Sequence, residues 1–352
     1  MARKTNRVLQ TTEEEVAKIN PDNMALVEDF IKYYIATDHS PKSVVVTKSN
    51  LLIFFCYVLN HLKNRHFAHI RRKDYVSLQS YLLDNGLSPA RIRGIRSSIS
   101  SFSSYIEFNV VEDIDEEFDE EEYKLWRKWK NVISSIPAPK LNPIREKTVM
   151  SEEDVDRLLD SLVKKKQYQK ACVLSLALCS GARKSELNQF IVSDFSEESV
   201  VFNSLYRSHK IRCKGSGKLG KQLNKYVIKN KFDKYLNLWL QQRQELNIDS
   251  EFLFVIKGEN GWEQMPVSTL NSYARTFTNI LGTSFYWHSC RHYTTTLFVT
   301  LGLSSEAIVQ FFGWSNESMI AVYNDRDKAD SLAEYFKDGE IVQKEQKNLT
   351  DL

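Results

Sequence analysis

Apolar residues recur at helical spacing through the first third of the chain. Asn23 to Ala36 predicts a helix with five apolar positions on one face, namely Met24, Val27, Phe30, Ile31 and Tyr34. Ser40-Pro41 combines an N-cap residue with proline at the first helical position, and predicts a long apolar helix through Leu59. Ser88-Pro89 repeats this device and predicts a helix to about Phe108. The N-terminal region is therefore expected to be all-helical.

The hydrophobic pattern changes twice further along. Pro137, Pro139 and Pro143 interrupt it and predict a linker over residues 137–147. Ser151 to Asp154 is a capping box that begins a new helix.

Beyond that helix, residues 199–229 have strand-like character around a glycine-rich turn, and helical spacing returns from Val267. The predicted fold class is mainly α with a small antiparallel β-sheet. The predicted organisation is a flexible N-terminus, a helical domain, the linker, a second domain and a polar tail, at residues 1–22, 23–136, 137–147, 148–337 and 338–352.

Composition excludes several classes of protein. The 352 residues include only 12 Gly and 7 Pro, which argues against a many-stranded or low-complexity fold. The longest apolar run, Leu51 to Leu59, is shorter than the about 20 residues of a membrane-spanning helix. The five cysteines lack C-x-x-C spacing, so neither a disulfide framework nor a zinc site is expected. These features predict a soluble intracellular protein.

The net charge of +3 conceals a segregation of charge. Residues 112–122 contain nine acidic residues and no basic one, so the remainder carries 48 basic residues against 36 acidic ones. A basic body with a separate acidic segment is typical of proteins that bind a polyanion such as nucleic acid. Arginines cluster near the start of the helix that follows Ser88, where the helix macrodipole favours acidic residues instead. DNA phosphates are therefore candidate partners for these arginines, and the alternative is an ordinary solvent-exposed face. The candidate DNA-binding residues are Lys42, Arg91, Arg93 and Arg96.

Three local patterns could carry chemistry, and each has an ordinary structural alternative. Arg183 and Glu186 share a helical face, as a surface ion pair would. His288 and Arg291 follow the strongly apolar residues 285–287, which suggests that the pair is buried. Burying such a pair is costly unless an anion binds to it, and the alternative is a solvated helix end. The third pattern is Trp314 followed nine residues later by Tyr323 in FFGWSNESMIAVYNDRD, where either aromatic alone could be a core residue.

The segment KGSGKLGKQ, residues 214–222, nearly matches a P-loop. Gln222 stands where a P-loop has the magnesium-binding Ser or Thr, and the following residues alternate like a strand, whereas a P-loop must lead into a helix. We interpret the segment as a β-hairpin turn that carries lysines, with Lys214 at its start.

Together these patterns supply two arginines, a histidine, a lysine, an indole donor and a tyrosine, without a carboxylate cluster for a metal. Such a set suits metal-free phosphoryl transfer to a protein nucleophile. Arginines bind non-bridging oxygens, lysine can protonate the departing alkoxide, and tyrosine needs assistance because its pKa is near 10.

The chain resembles the tyrosine recombinases, the phage integrase family. The resemblance rests on GARKSEL around Arg183 and Glu186, Lys214 in the hairpin, the motif His288-x-x-Arg291-His292, Trp314 after glycine, and Tyr323. These pieces span residues 181–326, and the helical N-terminal half resembles the core-binding domain of that family. The implied fold is an all-helical core-binding domain followed by an α+β catalytic domain.

The resemblance also implies roles for these residues. Arg183 and Arg291 would clamp the scissile phosphate, with Glu186 supporting Arg183, and His292 would be a further supporting residue. His288 would be the base and a phosphate donor, and Trp314 would stand where many relatives have histidine. Lys214 would be the general acid, with Lys218 and Lys221 as alternatives, and Tyr323 would form a 3′-phosphotyrosine.

The implied protein is a site-specific DNA recombinase of a phage or bacterial mobile element, in the cytoplasm with the nucleoid. It would act as a homotetramer on double-stranded DNA sites, without ATP, metal or other cofactor and with no membrane partner, and a need for accessory directionality proteins is open. The apolar stripe Leu332, Tyr335 and Phe336 would dock on a neighbouring subunit. Two alternatives are a type IB topoisomerase and a catalytically silent DNA-binding regulator.

Overall fold

The computed structural model describes residues 11–114, 120–140, 150–215, 220–324, 336–337 and 340–341. They belong to two compact units, which lie within residues 1–146 and 147–352. Each unit has its own apolar core, one drawn from residues between Ile19 and Ile136 and the other from residues between Met150 and Tyr323. The described chain is mostly helical with small antiparallel sheets, which confirms the predicted fold class.

The described residues of the N-terminal unit form helices and no strand. The α-helices are α1 (Glu13–Val16), α2 (Pro21–Ala36), α3 (Pro41–His61), α4 (Arg72–Asp84), α5 (Pro89–Ile106) and α6 (Glu120–Trp126). Ser40 and Ser88 accept hydrogen bonds from the backbone N–H groups of Ser43 and Arg91, so both Ser-Pro pairs begin helices as predicted. A π-helical turn, Glu107–Val111, extends α5.

Helix α3 is long and apolar enough to cross a membrane, by length and composition only. Half of its most apolar window is buried inside the protein, where Leu51, Phe55 and Val58 are fully covered. The helix is therefore a core helix of this unit.

Residues 11–22, within the predicted flexible N-terminus, include α1 and contact the rest of the N-terminal unit. Thr12 caps α1 in a capping box with Glu15. Ile19 is buried, and the backbone N–H of Asn20 donates to Oδ1 of Asn64 at 2.9 Å. The buried Ile19 and the hydrogen bond between Asn20 and Asn64 attach this polar segment to the core.

The C-terminal unit surrounds a small sheet with helices. Its helices are α7 (Glu152–Lys164), α8 (Tyr168–Ser180), α9 (Lys184–Leu187), α10 (Lys229–Glu245), α11 (Thr269–Leu281), α12 (Trp287–Thr300), α13 (Ser305–Phe312) and α14 (Ser318–Tyr323). Helix α8 is buried on all sides from Ala171 onward, and the capping box of Ser151 and Asp154 begins α7 as predicted.

The strands form three antiparallel sheets. Strands β1 (Val200–Val201), β2 (Leu205–Cys213) and β3 (Lys221–Ile228) pair in that order, whereas β4 (Val255–Gly258) pairs with β5 (Gly261–Gln264) and β6 (Phe336–Lys337) with β7 (Glu340–Ile341). In the β2–β3 hairpin Cys213 lies opposite Lys221, so the glycine-rich turn connects two strands. This confirms the hairpin and excludes the P-loop.

Some predictions fall outside the described residues. These are the centre of the acidic segment, most of the linker, Lys218, Leu332, Tyr335 and most of the polar tail.

Candidate active site

Arg183 and Glu186 lie at the junction between α8 and α9. Helix α8 ends at Gly181 in the left-handed conformation, which turns the chain so that Arg183 becomes the N-cap residue of α9. Nη1 of Arg183 donates to Oε1 of Glu186 at 3.1 Å, and its backbone N–H donates to Oε2 at 2.9 Å. The carboxylate is fully buried and the guanidinium is partly exposed, so this is not a solvated surface pair.

Lys225 on β3 joins this pair, and the sequence reasoning missed it. Its Nζ lies 3.1 Å from Oε2 of Glu186, and only 3% of its side chain is exposed. The one available signal was alternation, because Lys225 occupies an inward position of β3 in phase with the apolar Val227.

Opposite charges keep Glu186 ionised despite its burial. Burial alone would raise its pKa, but the Lys225 ammonium, the backbone N–H of Arg183 and its guanidinium together hold the pKa below its usual value.

Arg291 is a buried cation whose hydrogen bonds are incomplete. It lies on the first turns of α12 and is 1% exposed. Nη1 donates to the carbonyl oxygen of Gly181 at 2.9 Å, but Nε and Nη2 have no hydrogen-bond partner among the described residues. Burial, followed by repulsion from Arg183, lowers its pKa to about 10. An anion is the group that would satisfy it.

Three aromatic rings surround this guanidinium. Its Cζ lies 4.8 Å from the ring centre of Phe312, 5.2 Å from Trp314 and 5.4 Å from Tyr323. A Cβ at Gly181 would lie 2.3 Å from Cε1 of Phe312, so only glycine permits this approach. The ring cage was also absent from the sequence prediction.

Tyr323, the last residue of α14, is buried beside the remaining candidates. Its ring centre lies 5.1 Å from His288, 4.9 Å from His292 and 5.3 Å from Trp314. Nε1 of Trp314 is buried and hydrogen-bonds to no other part of the described chain. Like the guanidinium of Arg291, it is therefore a buried donor without an acceptor among the described residues.

His288 is exposed to solvent but surrounded by cations. Desolvation against its neighbours, followed by the charges of His292, Arg291, Arg183 and Lys214, lowers the pKa of its imidazole. Lys214 directly follows β2 and is exposed, and its charge is one of those that lower the pKa of His288. Lys221 lies at the opposite side of the hairpin, at the start of β3.

The structure therefore brings together all eight residues predicted for the site of the second domain: Arg183, Glu186, Lys214, His288, Arg291, His292, Trp314 and Tyr323. Cations and unpaired donors face a tyrosine, an arrangement that can bind a phosphodiester. No group of three or more His, Cys, Asp or Glu residues suitable for a metal occurs in the described ranges.

Each of the three arginines of α5 donates at least one hydrogen bond within the N-terminal unit. Nη2 of Arg96 donates to the carbonyls of Ile133 and Ile136, and Nε of Arg93 donates to that of Pro139 at 2.8 Å. Nη1 of Arg91 donates to Oδ1 of Asn50 at 2.5 Å. Lys42 is exposed at the start of α3. Binding to the backbone already explains why Arg96 lies near a helix start.

Comparison with known proteins is consistent with this geometry. A recombinase-like protein from the SPbeta prophage of Bacillus subtilis (strain 168), YomM, is 27% identical over 259 residues, which cover 74% of this chain and 73% of YomM. XerH recombinase bound to its difH substrate has a TM-score of 0.60 at 19% identity, covering 82% of this chain and 79% of that one. The Tn1549 transposon integrase bound to transposon right end DNA has a TM-score of 0.62 at 15% identity, covering 88% and 97%.

The model of the phage integrase family matches residues 148–330, more than half of the chain. This match contains every site residue of the C-terminal unit named above. The chain therefore belongs to the phage integrase family, the tyrosine-type site-specific DNA recombinases.

Proposed function

We propose that this recombinase cuts and rejoins DNA at Tyr323, with Arg183 and Arg291 binding the scissile phosphate. The observation that carries the proposal is the buried Arg291, whose Nε and Nη2 find no acceptor in the described part of the chain and lie beside the Tyr323 ring. A buried guanidinium left half unpaired is costly, and the two non-bridging oxygens of a phosphodiester would satisfy it. Nε1 of Trp314 would donate to the same phosphate.

In the cleavage step, Oη of Tyr323 forms a bond to phosphorus while the bond from phosphorus to the 5′-oxygen breaks. The phenolic proton passes to His288, whose lowered pKa keeps the imidazole neutral near pH 7. The Lys214 ammonium donates a proton to the departing 5′-oxygen. The product is a 3′-phosphotyrosine and a free 5′-hydroxyl, and attack by a 5′-hydroxyl reverses the step without ATP or metal.

Strand exchange follows if the attacking 5′-hydroxyl comes from a second DNA site. Lambda integrase, similar in fold at a TM-score of 0.59 and 13% identity over 90% of this chain and 83% of that one, has been seen as a tetramer on a Holliday junction. We propose the same assembly here, with the helical unit, residues 23–136, as the core-binding domain and residues 148–337 as the catalytic domain. Lys42, Arg91 and Arg93 would contact DNA phosphates, and the protein would act with the nucleoid.

A covalent-adduct assay tests the proposal. The protein is incubated with nicked duplexes tiled across the DNA that flanks its gene, and products are separated on a denaturing gel. Wild type should retain a labelled strand, whereas Tyr323→Phe should retain none and bind DNA almost equally, because phosphate contacts dominate such interfaces.

Two further arms separate the alternatives. Joining of strands between two duplexes identifies a recombinase, whereas relaxation of supercoiled DNA without joining identifies a topoisomerase. If the protein binds DNA but forms no adduct on any of the duplexes, the catalytic proposal is contradicted and the protein is a DNA-binding regulator.

A further inference from the structure

Lys225 is a buried charge that the cleavage step does not use. It is 3% exposed, and its ammonium is engaged with Oε2 of Glu186 at 3.1 Å. Burying a lysine and a glutamate together is costly, and an apolar pair of similar size is often more stable. The pair therefore calls for a reason other than the stability of the fold.

The contacts of Glu186 suggest that reason. Its Oε1 accepts from the Arg183 guanidinium, while its Oε2 accepts from the Arg183 backbone N–H and lies against the Lys225 ammonium. One oxygen thus orients the phosphate-binding side chain, and the other is fixed from the opposite element. Without Lys225, Arg183 would be the one remaining residue of the described chain that donates a hydrogen bond to this carboxylate.

The same contacts reach the hairpin that carries Lys214. Cys213, which directly precedes Lys214, lies near the pair, since the charges of both Lys225 and Glu186 act on its thiol. The backbone N–H of Lys225 donates to the Ser208 hydroxyl at 2.8 Å, where β2 is irregular. The charge pair therefore connects α9 with both strands of the hairpin.

We propose that Lys225 is a positioning residue, which fixes Glu186 and so aligns the Arg183 guanidinium with the hairpin that presents Lys214. This inference rests on the proposed function. Lys225 acts through Glu186 and does not touch the DNA.

The proposal predicts a specific pH dependence in Lys225→Met. The groups facing Glu186 are Arg183 from α9, Lys225 from β3, Cys213 from β2 and, at longer range, Arg291 from α12. Burial raises the pKa of Glu186, and the cations around it lower that pKa. Removing Lys225 takes away one of these cations, so the pKa of Glu186 rises. Protonated Glu186 no longer holds Arg183, and ionisation at higher pH restores the contact. The variant should therefore be most impaired at low pH and recover as pH rises.

The measurement is the single-turnover rate of adduct formation between pH 5.5 and 9, on the nicked duplex that traps the wild type. Lys225→Met should cleave about 10–100-fold more slowly at the acid end, the cost of a small misalignment of a phosphate-binding group. Its deficit should shrink as pH rises, with DNA affinity unchanged within about twofold. The double variant Lys225→Met/Glu186→Gln should cleave no more slowly than Glu186→Gln alone, while its melting temperature exceeds that of Lys225→Met.

Lys229→Met is the matched control, because Lys229 also pairs with an acid, Asp233 at 2.6 Å, and both residues lie on α10, which contributes none of the candidate site residues. It should cleave at the wild-type rate at every pH. A Lys225→Met protein that cleaves like wild type throughout, or whose deficit is independent of pH and multiplies with that of Glu186→Gln, overturns the inference. If wild type forms no adduct, the proposed function fails instead, so the two failures are distinct.

Discussion

Replacing Arg291 by methionine should stabilise the free protein while destroying its activity. Burial, followed by repulsion from Arg183, lowers the pKa of this guanidinium to about 10. A lowering of this size corresponds to about 3 kcal/mol of destabilisation of the charged form at neutral pH. Methionine removes this cost, but it leaves the Gly181 carbonyl without its donor and loses the ring contacts, which together cost about 2 kcal/mol.

The net gain is about 1 kcal/mol, a rise in melting temperature of about 2–4 °C for a domain of this size. Calorimetry in a buffer free of phosphate and sulfate measures it, since either anion would satisfy Arg291. Added inorganic phosphate should raise the melting temperature of the wild type and not that of Arg291→Met. The variant should form no adduct on nicked DNA.

Arg243 is a matched control, because it is also buried, at 5% exposed, but donates three hydrogen bonds. Its guanidinium donates to the carbonyls of Phe252, Leu253 and Ser250. Arg243→Met leaves three acceptors unpaired and should lower stability by about 3 kcal/mol or more. If Arg291→Met melts as low as Arg243→Met, the argument that Arg291 awaits an anion is refuted.

Three further predictions concern other contacts. Lys214→Ala should slow cleavage by about 10²–10⁴-fold, and a substrate with sulfur at the 5′-bridging position should restore the rate, because a thiolate leaves without a proton. The same substrate should not rescue Arg183→Ala, and rescue of both variants would contradict the role of Lys214 as general acid. Gly181→Ala should lower the melting temperature and slow adduct formation, since its Cβ would collide with Phe312; unchanged melting would disprove the clash. Arg96→Met should destabilise the N-terminal unit in thermal unfolding, because two carbonyls lose their donor; if it instead weakens only DNA binding, Arg96 is a phosphate contact.

Local signals predicted much of this molecule. The Ser-Pro pairs, the Ser151 capping box and the strand alternation of the hairpin each act within a few residues, and the structure places helix starts and strands there. The predicted residues around Tyr323 also converge, because short motifs on α9, α12 and α14 face one point.

Long-range partners could not be predicted. Lys225 occupies an inward position by alternation, but its charge argues for an outward one, and only the buried Glu186 on another element decides between them. The arginine at position 96 binds carbonyls 37 and 40 residues away, so its helix alone favoured a solvent or phosphate partner. The contact of Gly181 with Phe312 spans an even longer separation.

The central claim is that Tyr323 becomes covalently bonded to DNA. The most direct measurement is mass spectrometry of the wild-type adduct after digestion with nuclease and trypsin, with fragmentation to locate the nucleotide. The account predicts a 3′-nucleotide phosphodiester on the oxygen of Tyr323 and on no other residue. A nucleotide on Tyr286 or Tyr293 instead would contradict it.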